Sequence, residues 1–210
     1  MKKNVNVFST LAVLFAVALV VSNIIANKLW AAPFNLVLPT AVFLFPIVYI
    51  IGDVVPEVYG LAAARRMIWL GFAANAFAVV FFFICLKLPY PVFWEGQSAF
   101  ETVLGSTPRL LLASFAGYLV GTNANAAVLV LIKKLTGGKY LWMRTIGSTI
   151  VGETLDSMLF ITIAFFGAMP VNVLIGMVFA QAAFKTIYEA LATPLTYAVV
   201  AWVKRLEGVE

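Results

Sequence analysis

A chain of 210 residues that is 63% hydrophobic and only 11% charged, with a mean hydropathy of +1.03, is not an ordinary water-soluble domain. Such a domain runs about 45–50% apolar and about 25% charged. Histidine is absent and Cys85 is the single cysteine, which excludes a disulfide framework and a Cys/His zinc site within one chain. No metal or cofactor is expected. The formal charge of +5 does not point to nucleic acid, because the charges gather at the ends of apolar segments rather than along one face. The length accommodates about six membrane spans of roughly 20 residues and no separate soluble domain, so residues 1–210 are expected to form one transmembrane domain.

Apolar segments are predicted at 7–27, 37–55, 67–88, 108–132, 145–168 and 173–203, which gives an all-α integral membrane protein with six transmembrane helices. The N-terminal stretch has the charge of a signal peptide, but its apolar core is long and no small-x-small cleavage site follows, so it reads as a first span. With both termini in the cytoplasm, Lys2, Lys3, Arg65, Arg66, Lys133, Lys134, Lys139, Arg144, Lys204 and Arg205 fall inside. Lys28, Lys87 and Arg109 fall outside, a strong positive-inside bias. Trp30 and Trp94 then mark the outer interface, and Trp69, Trp142 and Trp202 the inner one.

The first span ends in Ser22, Asn23 and Asn27, amides suited to interhelical hydrogen bonds or to a ligand. Ala12 and Ala16 form a small-xxx-small pair that can pack against another helix or another protein. The second span carries Pro39 and Pro46 and ends in Gly52, Asp53, Pro56 and Glu57. Proline frees a backbone carbonyl, which a membrane tolerates only where protein or a wet cavity covers it. Asp53 and Glu57 are either a solvated helix end pairing with Arg65 or Arg66, or gating and coupling groups. The third span is apolar apart from Asn75 and runs into an outer loop rich in Pro, Phe, Trp and Tyr, suited to an interfacial segment. In the fourth span Ala113, Gly117, Gly121 and Asn125 recur every four residues, a close-packing face that can bear Asn123 or Asn125 toward a cavity. No sequence repeat, P-loop, GxSxG or HExxH is present, so ATP hydrolysis and standard hydrolase chemistry have no visible equipment.

The fifth span holds the chemistry. On a helix, Thr145, Ser148, Thr149, Gly152, Glu153 and Asp156 make one continuous polar stripe. A carboxylate at the bilayer centre costs at least about 2.5 kcal/mol, so two on one face need partners, water or a task. The sixth span offers Gln181, Lys185 and Glu189 at four-residue spacing, with Tyr188 beside them. Counting from the turn between the two spans puts Asp156 level with Lys185, and Glu153 level with Glu189. An Asp156–Lys185 pair follows, with no cation left for Glu153 and Glu189. A structural salt bridge is the plainer account of the pair, and a hydrated binding site the better account of the surplus acids.

The segments FPIVYIIGDVVPEVYG, SFAGYLVG, GSTIVGETLDSMLFITIAFFG and AAFKTIYEALATPLTY resemble the queuosine-precursor transporter family, formerly called vitamin-uptake-transporter-like proteins, over residues 36–203. The resemblance implies a bacterial inner-membrane importer, not an enzyme, built like the substrate-binding (S) components of energy-coupling-factor transporters. It implies as cargo a 7-deazaguanine base, either the 7-cyano or the 7-aminomethyl queuosine precursor, or queuine. Asp53, Glu57, Tyr59, Gly60, Asp156 and Lys185 fall on the family pattern.

The residues suit such a cargo. One carboxylate, Glu153 or Glu189, can accept both the ring N–H and the exocyclic amine of a guanine-like edge. Gln181 or Asn23 can donate to the ring oxygen, and Phe43, Phe45, Tyr49 or Tyr188 can stack on the flat face. Asp156–Lys185 would order the site. Two rivals stand beside this reading. One is a binding component that needs a separate ATP-driven module, docking partly through Ala12 and Ala16. The other is an intramembrane enzyme in which Glu153 and Asp156 share a proton, against which Lys185 competes. The expected partners are a small-molecule base and the lipid bilayer, without nucleic acid. Driving force and homo-oligomerisation stay open.

Overall fold

Helices dominate the computed structural model, which describes residues 7–136 and 141–208. The order is α1 (Val7–Ile25), β1 (Leu29–Ala32), β2 (Leu36–Pro39), α2 (Phe45–Lys87), α3 (Gln97–Leu104), α4 (Thr107–Leu135), α5 (Leu141–Phe165) and α6 (Val171–Glu207). Lys2, Lys3 and Lys139 lie outside the described residues, as do the side chains of Lys133, Trp142, Arg144 and Thr145. Among the described residues, five stretches are long and apolar enough to cross a bilayer, namely Val7–Ile25, Ala62–Lys87, Gln97–Asn125, Ile146–Phe165 and Val171–Glu207. Only 22–33% of each apolar window is buried inside the protein. Val13, Val17, Phe77, Phe179 and Leu191 are each more than half exposed, a distribution that water would penalise and acyl chains would not.

The expected second span departs most from its prediction. Residues 36–39 pair with 29–32 as an antiparallel hairpin, Leu29 opposite Pro39 and Ala32 opposite Leu36. A 3-10 turn follows at Thr40–Phe43. Proline explains the shift: Pro39 closes a strand, and Pro46 sits in the first turn of α2, where its missing N–H is not needed. Neither therefore interrupts a helix. Pro56 is the proline inside α2. Gly60, with φ 82° and ψ 172°, breaks α2 into two helices. A methyl group there would touch nothing, so the glycine serves the backbone torsion, which side chains disfavour, and not a close approach. The first part, residues 45–59, is about 22 Å long. The expected loop around Arg65 and Arg66 is absent, because the chain is helical again straight after the break.

The chain groups into two compact units. The first takes Met1–Lys28, Thr40–Pro108 and Tyr188–Glu210. Its core joins Ala12, Phe15, Ile51, Val55, Ala64 and Met67. A methyl on Gly71 would meet Leu19 at 2.7 Å and Phe15 at 3.0 Å, so α1 and α2 approach closely through that glycine. Ala12 is buried in this core; its face packs within the protein.

The second unit takes Leu29–Pro39 and Arg109–Ile187. Here α5 and α6 are joined by a tight turn in which Gly167 has φ 85°, and the N–H groups of Val173 and Leu174 donate to Pro170 O. Arg109, near the start of α4, donates to the carbonyls of Ile163 and Phe166 at the end of α5. A guanidinium on the last carbonyls complements the helix dipole and fixes α4 antiparallel to α5. Helix α6 holds 37 residues, about 55 Å against a hydrocarbon core of about 30 Å. It outruns the membrane and ends on Lys204 and Arg205.

Candidate functional site

Within the second unit, Glu153 and Asp156 are three residues apart on α5 and project from one face. Lys185 of α6 reaches both: its Nζ contacts Asp156 Oδ2 directly and stands 3.2 Å from Glu153 Oε2. The ammonium side chain is 7% exposed, the carboxylates 22% and 19%. The contact expected from equal depth is therefore present. The expectation that no cation remains for Glu153 is corrected, because a helical i, i+3 spacing lets one ammonium bridge both acids. With all three ionised the group carries a net charge of −1.

Glycine brings the backbones close enough for this. Along α4, Ala113 is fully buried, and the next two small residues of its stripe face Asp156. A methyl on Gly117 would stand 2.7 Å from Asp156 Oδ1, and one on Gly121 would stand 2.8 Å from Asp156 Cβ and 2.9 Å from Gly152 O. Reciprocally, a methyl on Gly152 would stand 2.8 Å from Asn125 Cβ. The four-residue stripe on α4 thus seats α5 by backbone contact, and fixes Asp156 between α4 and Lys185.

Among the described residues, three buried side-chain oxygens of this unit lack a hydrogen-bond partner: Asn125 Oδ1, Ser157 Oγ and Gln181 Oε1. Asn125 lies against Gly152, the neighbour of Glu153. Ser157 follows Asp156 in sequence and is fully buried. Gln181, 1% exposed, stands one turn before Lys185 on the same face of α6. Asn123, by contrast, donates to Leu119 O on its own helix. Buried polar atoms are nearly always paired, so each of these oxygens is a departure from the usual pattern.

The other predicted residues lie in the first unit. Asn23 is buried and donates both to Asn75 Oδ1 at 3.1 Å and to Thr107 O at 3.2 Å. Asn27 donates to Val103 O at 2.8 Å and accepts from Ser106, while Thr40 donates to Ile25 O. These amides tie α1 to its neighbours. They border a cavity of about 490 Å³ lined by Ile25, Asn27, Lys28, Thr40, Phe43 and Val103, among others. Phe45 and Tyr49 pack on one another at 5.9 Å. Asp53 is exposed. Glu57 pairs with Lys204 at 2.9 Å instead of Arg65 or Arg66, because α6 runs on beyond the bilayer. Beside it, Tyr59 donates to Glu207 at 2.8 Å. Tyr188 and Glu189 are partly buried on the stretch of α6 assigned to this unit.

Sequence reasoning did not single out Ser157, the capping role of Arg109, or Lys204 and Glu207 as partners for the Glu57–Tyr59 segment. Ser157 gives no signal beyond its place next to Asp156. The Lys204 pairing follows from the uncommon length of α6.

Residues 39–199 match the family model described as "Putative vitamin uptake transporter". The chain is 29% identical over 153 residues to a Bacillus subtilis (strain 168) protein named "Probable queuosine precursor transporter", covering 72% of this chain and 66% of that one. It is 28% identical over 123 residues to the "Queuosine precursor transporter" of Escherichia coli (strain K12), covering 59% and 53%. The chain thus spans just under two thirds and about half of the length of these relatives. No solved structure matches it. The family match takes in the GDVVPEVYG segment, the glycine stripe of α4 and the ion triad of α5 and α6, and the chain, a multi-pass bacterial membrane protein, belongs to the vitamin uptake transporter family.

Proposed function

We propose that the protein imports a queuosine precursor, a 7-deazaguanine base, across the bacterial inner membrane, and that the Glu153–Asp156–Lys185 group is the heart of its binding site. The observation that carries this reading is the sharing of one buried ammonium by two carboxylates inside membrane-crossing helices. A structural ion pair needs one acid; the second is a recognition group. Glu153, the more exposed of the two, accepts the paired N–H groups of the base edge, and Asp156, held by Lys185 and by α4, keeps the ammonium in place. Gln181 adds a further polar contact. The names of the two relatives support the cargo class. The proposed topology is six spans with residues 45–59 completing the second, both termini cytoplasmic, and Asp53 and Glu57 acting at the cytoplasmic mouth as gating or coupling groups.

Transport without an energising module is favoured over the ATP-driven alternative by the burial of Ala12 in the protein's own core, which removes half of the small-residue face offered for docking. Purified protein in liposomes free of ATP is expected to take up the 7-cyano or 7-aminomethyl base. Glu153→Gln is expected to lower that uptake at least about tenfold, the size of a lost charge-assisted hydrogen bond, while the protein still folds. Wild-type rates from a folded Glu153→Gln variant would remove the site, and absence of uptake by the wild type would remove the importer reading.

A further inference from the structure

Independently of the import reading, we infer that one end of the first unit binds the headgroup of an anionic phospholipid through Arg65, Arg66 and Arg205. All three belong to that unit, and two contacts between α2 and α6 fix the place. Lys204 pairs with Glu57 at 2.9 Å, and Tyr59 donates to Glu207 at 2.8 Å. Beyond the break at Gly60, Ala64 and Met67 return to the core that holds Ile51 and Val55. Arg65 and Arg66 therefore come back alongside the segment that precedes Glu57. Counted from the break at about 1.5 Å per residue, they lie within about one helical turn of the level of Arg205.

Helical spacing turns the three arginines outward. Ala64 and Met67 are buried, and at about 100° per residue Arg65, Arg66 and Trp69 occupy the arc opposite them. On α6 Val203 is buried, and Trp202 and Arg205 fall on its far side. The arginines are exposed, and Trp69 and Trp202 are 61% and 59% exposed. The acids at this end are engaged elsewhere, Glu57 by Lys204 and Glu207 by Tyr59. Among the described residues, no carboxylate stands within ion-pair distance of these guanidinium groups. Each helix thus presents arginine beside tryptophan, with an exposed leucine, Leu70 or Leu206, close by. A guanidinium forks onto two oxygens of a phosphate, and an indole sits at headgroup depth with its apolar body toward acyl chains. A phosphodiester carrying acyl chains satisfies both kinds of side chain, whereas a free anion satisfies only the arginines. A zwitterionic lipid adds an ammonium that the arginines repel. On the topology proposed above this end meets the cytoplasmic leaflet, whose surface is negative.

The test is titration of the full-length purified protein in detergent with phosphatidylglycerol or phosphatidylcholine, the lipid-bound states being counted by native mass spectrometry. An arginine at a lipid surface is worth about fivefold in affinity. Phosphatidylglycerol is therefore expected to bind about tenfold or more tightly than phosphatidylcholine. Arg65→Gln/Arg66→Gln is expected to shrink that preference to within about threefold. Lys87→Gln, at the other end of α2, is expected to leave it unchanged. Equal binding of the two lipids by the wild type overturns the proposal, even where a variant fails to fold. An unchanged preference in the double arginine variant, or the same loss in Lys87→Gln, overturns the assignment to this end of the unit. Displacement of the lipid by millimolar inorganic phosphate would show a plain anion site and overturn the lipid reading. Liposome uptake of the base is a separate measurement, so failure here leaves the import reading standing.

Discussion

Replacing Lys185 by methionine removes the cation that Glu153 and Asp156 share and keeps a side chain of similar length. Breaking a buried ion pair by deleting one partner costs about 3–5 kcal/mol, because the other charge is left uncompensated. Here two carboxylates are stranded, but each keeps about a fifth of its surface accessible, which places the cost near the lower end. At about 2–4 °C per kcal/mol for a chain of this size, a loss of roughly 3 kcal/mol lowers the melting temperature by about 6–12 °C. The fully neutral variant Lys185→Met/Asp156→Asn/Glu153→Gln strands no charge, and whole-group replacement of buried ions is often close to neutral. It is expected to melt within about 4 °C of the wild type while transporting nothing. The assay is thermal unfolding in detergent by tryptophan fluorescence, run beside uptake in liposomes. A Lys185→Met protein as stable as the wild type, or a triple variant no more stable than Lys185→Met, would refute the claim that charge balance holds this cluster together.

Gly121→Ala adds a methyl 2.8 Å from Asp156 Cβ and 2.9 Å from Gly152 O, and the overpacking is expected to cost about 1–3 kcal/mol, partly offset by helix propensity. Gly176→Ala, on a helix face where a methyl touches nothing, should instead gain up to about 1 kcal/mol, so the two melting temperatures should move in opposite directions. Asn23→Ala leaves Asn75 Oδ1 and Thr107 O without their shared donor and is expected to cost about 1–3 kcal/mol of stability with binding affinity unchanged by titration. Lys204→Ala removes a pair whose carboxylate is 58% exposed, worth at most about 1 kcal/mol. A marked change in uptake rate at constant melting temperature would therefore show Glu57 acting as a gate.

The membrane character, most of the long helices and the Asp156–Lys185 contact were legible because each rests on periodicity or on equal rise along two helices joined by a short turn. The glycine stripe of α4 was legible for the same reason. What could not be read was set by single residues acting through tertiary context. Pro39 and Pro46 look alike as helix breakers, yet one ends a strand and the other starts a helix; only the pairing of residues 29–32 with 36–39 separates the cases. Gly60 looks like any loop glycine before Arg65 and Arg66, but it makes a break without a loop. The sharing of Lys185 by two acids was missed because counting along α6 matched each acid with one residue at its own depth. A lysine side chain is long enough to span a turn of the facing helix.

The two kinds of polar group in this protein separate structure from recognition by how they are satisfied. In the first unit, Asn23, Asn27 and Thr40 donate to backbone carbonyls or to another amide. Such groups are scaffold, since a donor on a carbonyl has nothing left to offer a ligand. The cavity beside them is lined by residues so engaged. In the second unit the pattern differs: one ammonium answers two carboxylates, and three buried oxygens have no partner among the described residues. Leaving a buried polar oxygen unpaired in a low-dielectric interior costs about 1–3 kcal/mol, so α4, α5 and α6 gain nothing in stability from carrying one each. The binding site proposed above therefore rests on these unsatisfied oxygens of α4, α5 and α6 as well as on the two acids that share Lys185.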